Sequence, residues 1–104
     1  MSKNKKQIRY DFRNSCFERD NYRCVVCKKI TSEIDCHHIT DRNEMPNGGF
    51  VEENGITLCS ECHMKAEKYH ITSGKEWVDG FHPLDLYKLI KSNLDLARQK
   101  SKML

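Results

Sequence analysis

Cys24 and Cys27 form one Cys-x-x-Cys pair and Cys59 and Cys62 another, with 32 positions from Cys27 to Cys59. Each pair can wrap two thiolates around one tetrahedral ion, and four soft sulfur ligands select zinc. A site filled by four sulfurs is closed, so this zinc is expected to hold the fold and not to take part in catalysis. Between the pairs lie Asp35-Cys36-His37-His38-Ile39 and Asn54-Gly55-Ile56-Thr57-Leu58, and His63 follows the last cysteine directly. Adjacent histidines on a strand send their imidazoles in different directions, so one can hold a metal while the other stays free to take a proton. His63, opening a helix, can aim back at that strand. The set suits phosphodiester hydrolysis. A neutral imidazole with a pKa near about 6.5 accepts a proton from water, and one divalent ion relieves charge on the pentacoordinate phosphate and the leaving 3′ oxygen.

These residues need a frame. Ile8, Phe12, Cys16 and Phe17 recur at helical spacing and predict a helix from about Ile8 to Arg19. Asp20-Asn21 ends it and leads into a knuckle at Tyr22-Arg23-Cys24-Val25-Val26-Cys27. Ile34 to Ile39 reads as a strand, Asp41 to Gly49 as a loop punctuated by Asn47-Gly48-Gly49, and Phe50 to Leu58 as the region of the return strand. Ser60 to His70 has helical composition. A last helix is expected over Pro83 to about Lys102, with Leu86, Tyr87, Leu89, Ile90, Leu94 and Ala97 on one broad face. The fold class is small α+β: a β-hairpin plus helix stapled by zinc, flanked by N- and C-terminal helices. Cys16 and Cys36 lack a sequence partner and read as packed side chains.

At 104 residues the chain fits one domain and not two with separate cores. Hydrophobic residues are 38% and charged residues 32%, a modest apolar stock that calls for a staple. Residues 1–7 are polar and basic and are expected to be a disordered tail, with 8–104 as the single domain. No apolar run follows the basic start and none reaches transmembrane length, so the expectation is a soluble, cytoplasmic protein with reduced thiols and no membrane partner. The net charge of +3 is uneven. Through Lys29, nine Lys and Arg residues face three acids, a net +6, so a polyanion would be drawn chiefly to the N-terminal part. Nucleic acid is the obvious candidate; a solvated basic tail with no partner is the plainer alternative.

The run from Cys24-x-x-Cys27 through His37-His38-Ile39, Gly48-Gly49, Asn54-Gly55-Ile56-Thr57-Leu58 and Cys59-x-x-Cys62-His63 resembles the HNH family of nucleases, which have the ββα-metal fold. The likeness covers less than half the chain, and the combined pattern is far more specific than any one element. It implies that His38 is the general base, that His37 fills the metal-ligand position before it, that Asn54 orients His38 or braces the loop, and that His63 is the final motif histidine on the metal. Many family members have aspartate at the place of His37, while a histidine is seen in the colicin-type branch. Imidazole ligands favour transition ions, so manganese, nickel, cobalt or zinc stand beside magnesium as the catalytic ion. Glu67, four positions beyond His63, is either a direct or water-mediated ligand or a surface glutamate paired with a lysine. Arg42 and Lys65 are candidates to grip DNA phosphates, with solvated surface charge as their alternative. His70 and His82 read as structural or surface residues.

The function that the resemblance implies is a metal-dependent endonuclease nicking or cutting duplex DNA to leave 5′-phosphate and 3′-hydroxyl ends, in a bacterial or phage-infected cell. Two other classes remain open on sequence. A noncatalytic zinc module binding nucleic acid or a protein partner predicts one metal and indifference to loss of His38. A redox protein using the cysteine pairs would lack the βαβ surroundings such motifs have.

Overall fold

The side chain of Asn4 accepts a hydrogen bond from the Gln7 amide at 2.8 Å and so caps helix α1, Lys5–Arg19, in a computed structural model that describes residues 4–104. The cap starts the helix ahead of Ile8, the first apolar position, so residues 5–7 of the expected tail form its first turn, while 1–3 lie outside the described residues. Phe12, Cys16 and Phe17 are its buried face. At its end Arg19 pairs with Asp20 and donates to the carbonyls of Glu52 (2.6 Å) and Gly55 (2.7 Å), and Asp20 accepts from the Thr57 amide (3.0 Å). These bonds fasten the end of α1 to the second strand of the hairpin.

That hairpin consists of β1, Ile34–His38, and β2, Gly55–Cys59, antiparallel with His38 opposite Gly55 and Ile34 opposite Cys59. The next helix, α2, spans Ser60–Ile71. Both α1 and α2 pack on the strands, and every residue of β2 is buried as a result. The loop between the strands coils into 3-10 turns at Arg42–Glu44, Pro46–Gly49 and Glu52–Asn54. The last of these delays the return strand, expected from Phe50, until Gly55. Asn47, Gly48 and Gly49 take positive φ of 52°, 82° and 66°, the left-handed turn their types announce. Gly55 is required by close approach: a Cβ there would stand 2.5 Å from Cys16 Sγ, 2.6 Å from Phe12 and 2.8 Å from Cys36 Sγ.

One long C-terminal helix does not form. Instead α3 spans Pro83–Leu89 and α4 spans Leu94–Lys102, parted at Lys91, whose φ is 55°. Ser92 Oγ donates to the Glu53 carbonyl (2.8 Å), and Asn93 caps α4 by accepting from the Leu96 amide (2.8 Å). Short polar side chains that bond to backbone end helices, and here two stand side by side. Leu89 is consequently exposed, while Leu86, Tyr87 and Ala97 join Ile39, Ile56, Leu58, Cys24, Cys59, Cys62, Ala66 and Phe81 in the core. The β-hairpin plus helix with four clustered cysteines and flanking helices is the small α+β architecture expected from the sequence.

Candidate metal and catalytic centre

Four cysteines converge where the knuckle meets the start of α2. Their sulfurs all lie within 4.8 Å of one another, with Cys27 Sγ and Cys59 Sγ 3.6 Å apart. A tetrahedron with zinc–sulfur bonds of about 2.3 Å sets its sulfurs about 3.8 Å apart, so the cluster has the dimensions of such a site. The backbone is shaped for it. Lys28, at φ 67°, turns the knuckle so that its amide donates to the Cys24 carbonyl (3.0 Å), and the Val25 amide reaches the Thr57 carbonyl (3.0 Å). Burial opposes ionisation of Cys24, but the backbone amides of Cys27, Cys59 and Val26 outweigh it and bring the thiol down to about 7. Cys24, Cys59 and Cys62 are buried and Cys27 is exposed. The donor set and spacing are grouped for one metal ion, consistent with a structural zinc.

Strand alternation then divides the adjacent histidines. His38, with Cys36, faces α1: its ring lies 4.6 Å from that of Phe12 and 4.7 Å, edge-on, from that of Phe50. His37 faces α2, its ring 5.2 Å from both His63 and His70. His37 Nδ1 is buried and 3.2 Å from Glu67 Oε1, an ion-pair distance at which the two are not aligned as a full hydrogen bond. His63 Nε2 is 3.3 Å from the same Glu67 oxygen, and its Nδ1 is 3.5 Å from Asp35. The imidazole of His37 is the main influence holding the Glu67 carboxyl down to about 2. Ligand atoms of His37, Glu67 and His70 lie within 4.8 Å of one another. A buried imidazole nitrogen without a well-aligned hydrogen bond, beside an ionised carboxylate and two further imidazoles, is a donor set that fits a divalent transition ion.

Burial is the largest influence on His38, followed by the charges of His37 and Arg42, and together they lower it to about 4, so its ring is neutral at pH 7. Its Nε2 is buried without a partner, and the residue lines a cleft shared with the His37 cluster. That cleft, about 400 Å³, brings together His37, His38, Arg42, His63, Glu67 and His70.

Asn54, fully buried, does not orient His38 directly. Its Oδ1 accepts from the Thr40 amide (3.0 Å) and the Tyr87 hydroxyl (2.8 Å), and its Nδ2 donates to the carbonyls of Thr40 (3.1 Å) and Gly49 (3.2 Å). These are the bonds of a brace across the 40–49 loop, which carries Arg42. Truncation to Ala orphans several buried groups at once and is expected to cost about 3 kcal/mol, measured by denaturant unfolding. Asn54→Asp should fare no better, because a carboxylate cannot donate to the two carbonyls.

Lys65 stands apart from the cleft, with its ammonium 5.9 Å from the Phe81 ring centroid. His82 caps α3, its Nδ1 accepting from the Leu84 amide (3.1 Å), as a structural reading expects. His70, expected to be a structural or surface residue, lies in the same cleft. Its Nε2 lies 3.0 Å from the His38 carbonyl and it faces His37. The signal was present in the spacing, since His63, Glu67 and His70 recur at i, i+4 and i+7 on one face of α2.

Residues 24–68 match the family model for HNH endonuclease, and the match contains all four cysteines, His37, His38, Asn54, His63 and Glu67. Anaredoxin of Nostoc sp. (strain PCC 7120 / SAG 25.82 / UTEX 2576) is 36% identical over 50 residues, 47% of this chain and 62% of that protein. The chain thus spans under two thirds of that relative's length. No solved structure matches the chain. Among the described residues no helix is long and apolar enough to cross a membrane.

Proposed function

We propose that the HNH domain at residues 24–68, within a single functional unit over 8–104, is a metal-dependent endonuclease that hydrolyses DNA phosphodiester bonds. The observation that carries the reading is the divergence of two adjacent imidazoles. His37 enters a cluster with Glu67, His63 and His70, while His38 stands neutral on the other face of the same strand, open to a cleft lined by both sets. His38 takes the proton from the attacking water. His37 and Glu67, with His63 or His70, would hold a divalent ion, which supplies charge relief at the phosphate and the leaving 3′ oxygen. Arg42, in the same cleft, offers its fork to the phosphate beside the cut. Asn54 keeps the loop that positions Arg42 in place, and the four-cysteine zinc holds the knuckle against α2. The Nostoc relative carries the name Anaredoxin, so the catalytic step rests on this site's own geometry.

The test is nicking of supercoiled plasmid by the full chain, zinc-loaded and supplied in turn with magnesium, manganese, cobalt, nickel or additional zinc. Open-circular product is expected with at least one ion and none with EDTA. Inertness with every ion, on DNA and on RNA, would reduce the protein to a zinc-stabilised binding module.

A further inference from the structure

The cleft beside His38 continues away from the metal cluster. A second depression of about 310 Å³ is lined by Arg9, Arg13, Arg42, Phe12, Phe50 and His38 among others, and a third of about 260 Å³ by Lys5, Arg9, Arg42 and Phe50. Arg42 lines all three, so the depressions adjoin one another in a row from the start of α1 to His38, together called the groove. Lys5, Arg9 and Arg13 occupy i, i+4 and i+8 of α1 and therefore share one face of that helix. Among the described residues Asp35 is the one acid lining the depression shared by Arg13 and His38, while Asp41 and Glu67 line the cleft on the metal-cluster side.

These cations are available. Among the described residues none of Lys5, Arg9, Arg13 and Arg42 is in an ion pair. Arg9 lies over the face of Phe50 at 5.6 Å and Arg13 over that of Phe17 at 5.2 Å. A guanidinium held by a ring keeps its in-plane N–H groups free while losing conformational freedom, which lowers the cost of gripping a phosphate. Phe50 touches Arg9 on one side and His38 on another, so it couples the grip to the base.

We infer that this groove is the track of the nucleic-acid backbone, with Arg9 and Arg13 of α1 holding phosphates that flank the one presented to His38. The inference rests on the nuclease reading and adds to it a substrate path over α1, read without reference to base sequence. Phosphate contacts of this kind position a strand and carry no sequence information directly.

Binding separates the two ideas. In a His38→Ala background, so that nothing is cut, affinity for labelled duplexes of unrelated sequence is measured against salt. Arg9→Gln/Arg13→Gln should weaken binding to all of them alike and reduce the slope of log affinity against log salt by about 2, roughly one per lost contact. Lys88→Gln/Lys100→Gln, which removes two charges outside the groove, should leave the slope unchanged. If the α1 variant melts like its parent and keeps the parent slope, the track lies elsewhere, whatever the parent does to plasmid. If the slope falls as expected but no ion supports nicking by the native chain, the groove stands and catalysis does not. A native chain that neither binds nor nicks overturns both.

Discussion

His38→Ala is expected to lower metal-dependent nicking by about 10²- to 10⁴-fold, the usual contribution of a positioned general base, while zinc content and thermal midpoint stay near those of the parent. No other imidazole can substitute from where it stands. His37, His63 and His70 gather on the α2 face of β1, and His38 alone faces α1 between Phe12 and Phe50. The ring is only partly buried, so its removal costs packing on the scale of an ordinary substitution and does not threaten the fold. His38→Gln separates shape from chemistry, since an amide fills part of the space and cannot accept the proton. Both variants should be inactive, and free imidazole should restore part of the rate to the alanine variant alone. A His38→Ala protein that nicks at the parent rate would remove His38 from the mechanism.

Features set by strong local chemistry were legible in the sequence. The cysteine spacing announced a four-sulfur cluster, the Asn47-Gly48-Gly49 run announced a turn, and alternation along β1 announced that His37 and His38 would part. What stayed hidden depends on contacts between elements. Spacing along α2 puts His70 on the face of His63 and Glu67, but that this face reaches His37 depends on how α2 packs across β1, which the spacing does not contain. The break between α3 and α4 follows from Ser92 reaching Glu53 in a distant turn, a bond no window on 83–102 contains. For Asn54 the sequence offers two readings, and the hydrogen bond that Tyr87, 33 positions away on α3, donates to its Oδ1 is a contact that no local window contains.

Removal of metal should act in two stages. The His37, Glu67 and His70 cluster offers nitrogen and oxygen donors at an open cleft, so a mild chelator should abolish nicking and leave the far-ultraviolet circular dichroism unchanged. The cysteine cluster is a different matter. Three of its four sulfurs are buried in the main core beside Ile56, Leu58 and Ala66, and it joins the knuckle to the start of α2 across the whole hairpin. Structural zinc in small domains is worth about 10–16 kcal/mol in apparent binding free energy, as much as the about 5–15 kcal/mol by which whole domains are stable. Forcing removal with a strong chelator, or replacing the buried ligand in Cys62→Ser, is therefore expected to abolish the cooperative unfolding transition, with one zinc per chain lost. Cys16→Ala is the contrast: the thiol is as deeply buried, on the inner face of α1, but belongs to no metal cluster among the described residues, so its loss should cost only about 1–2 kcal/mol, the scale of a small cavity. An apo chain that melts at the same midpoint as the zinc form would deny the four sulfurs their structural role. A mild chelator that leaves nicking intact would deny the His37, Glu67 and His70 cluster its catalytic ion.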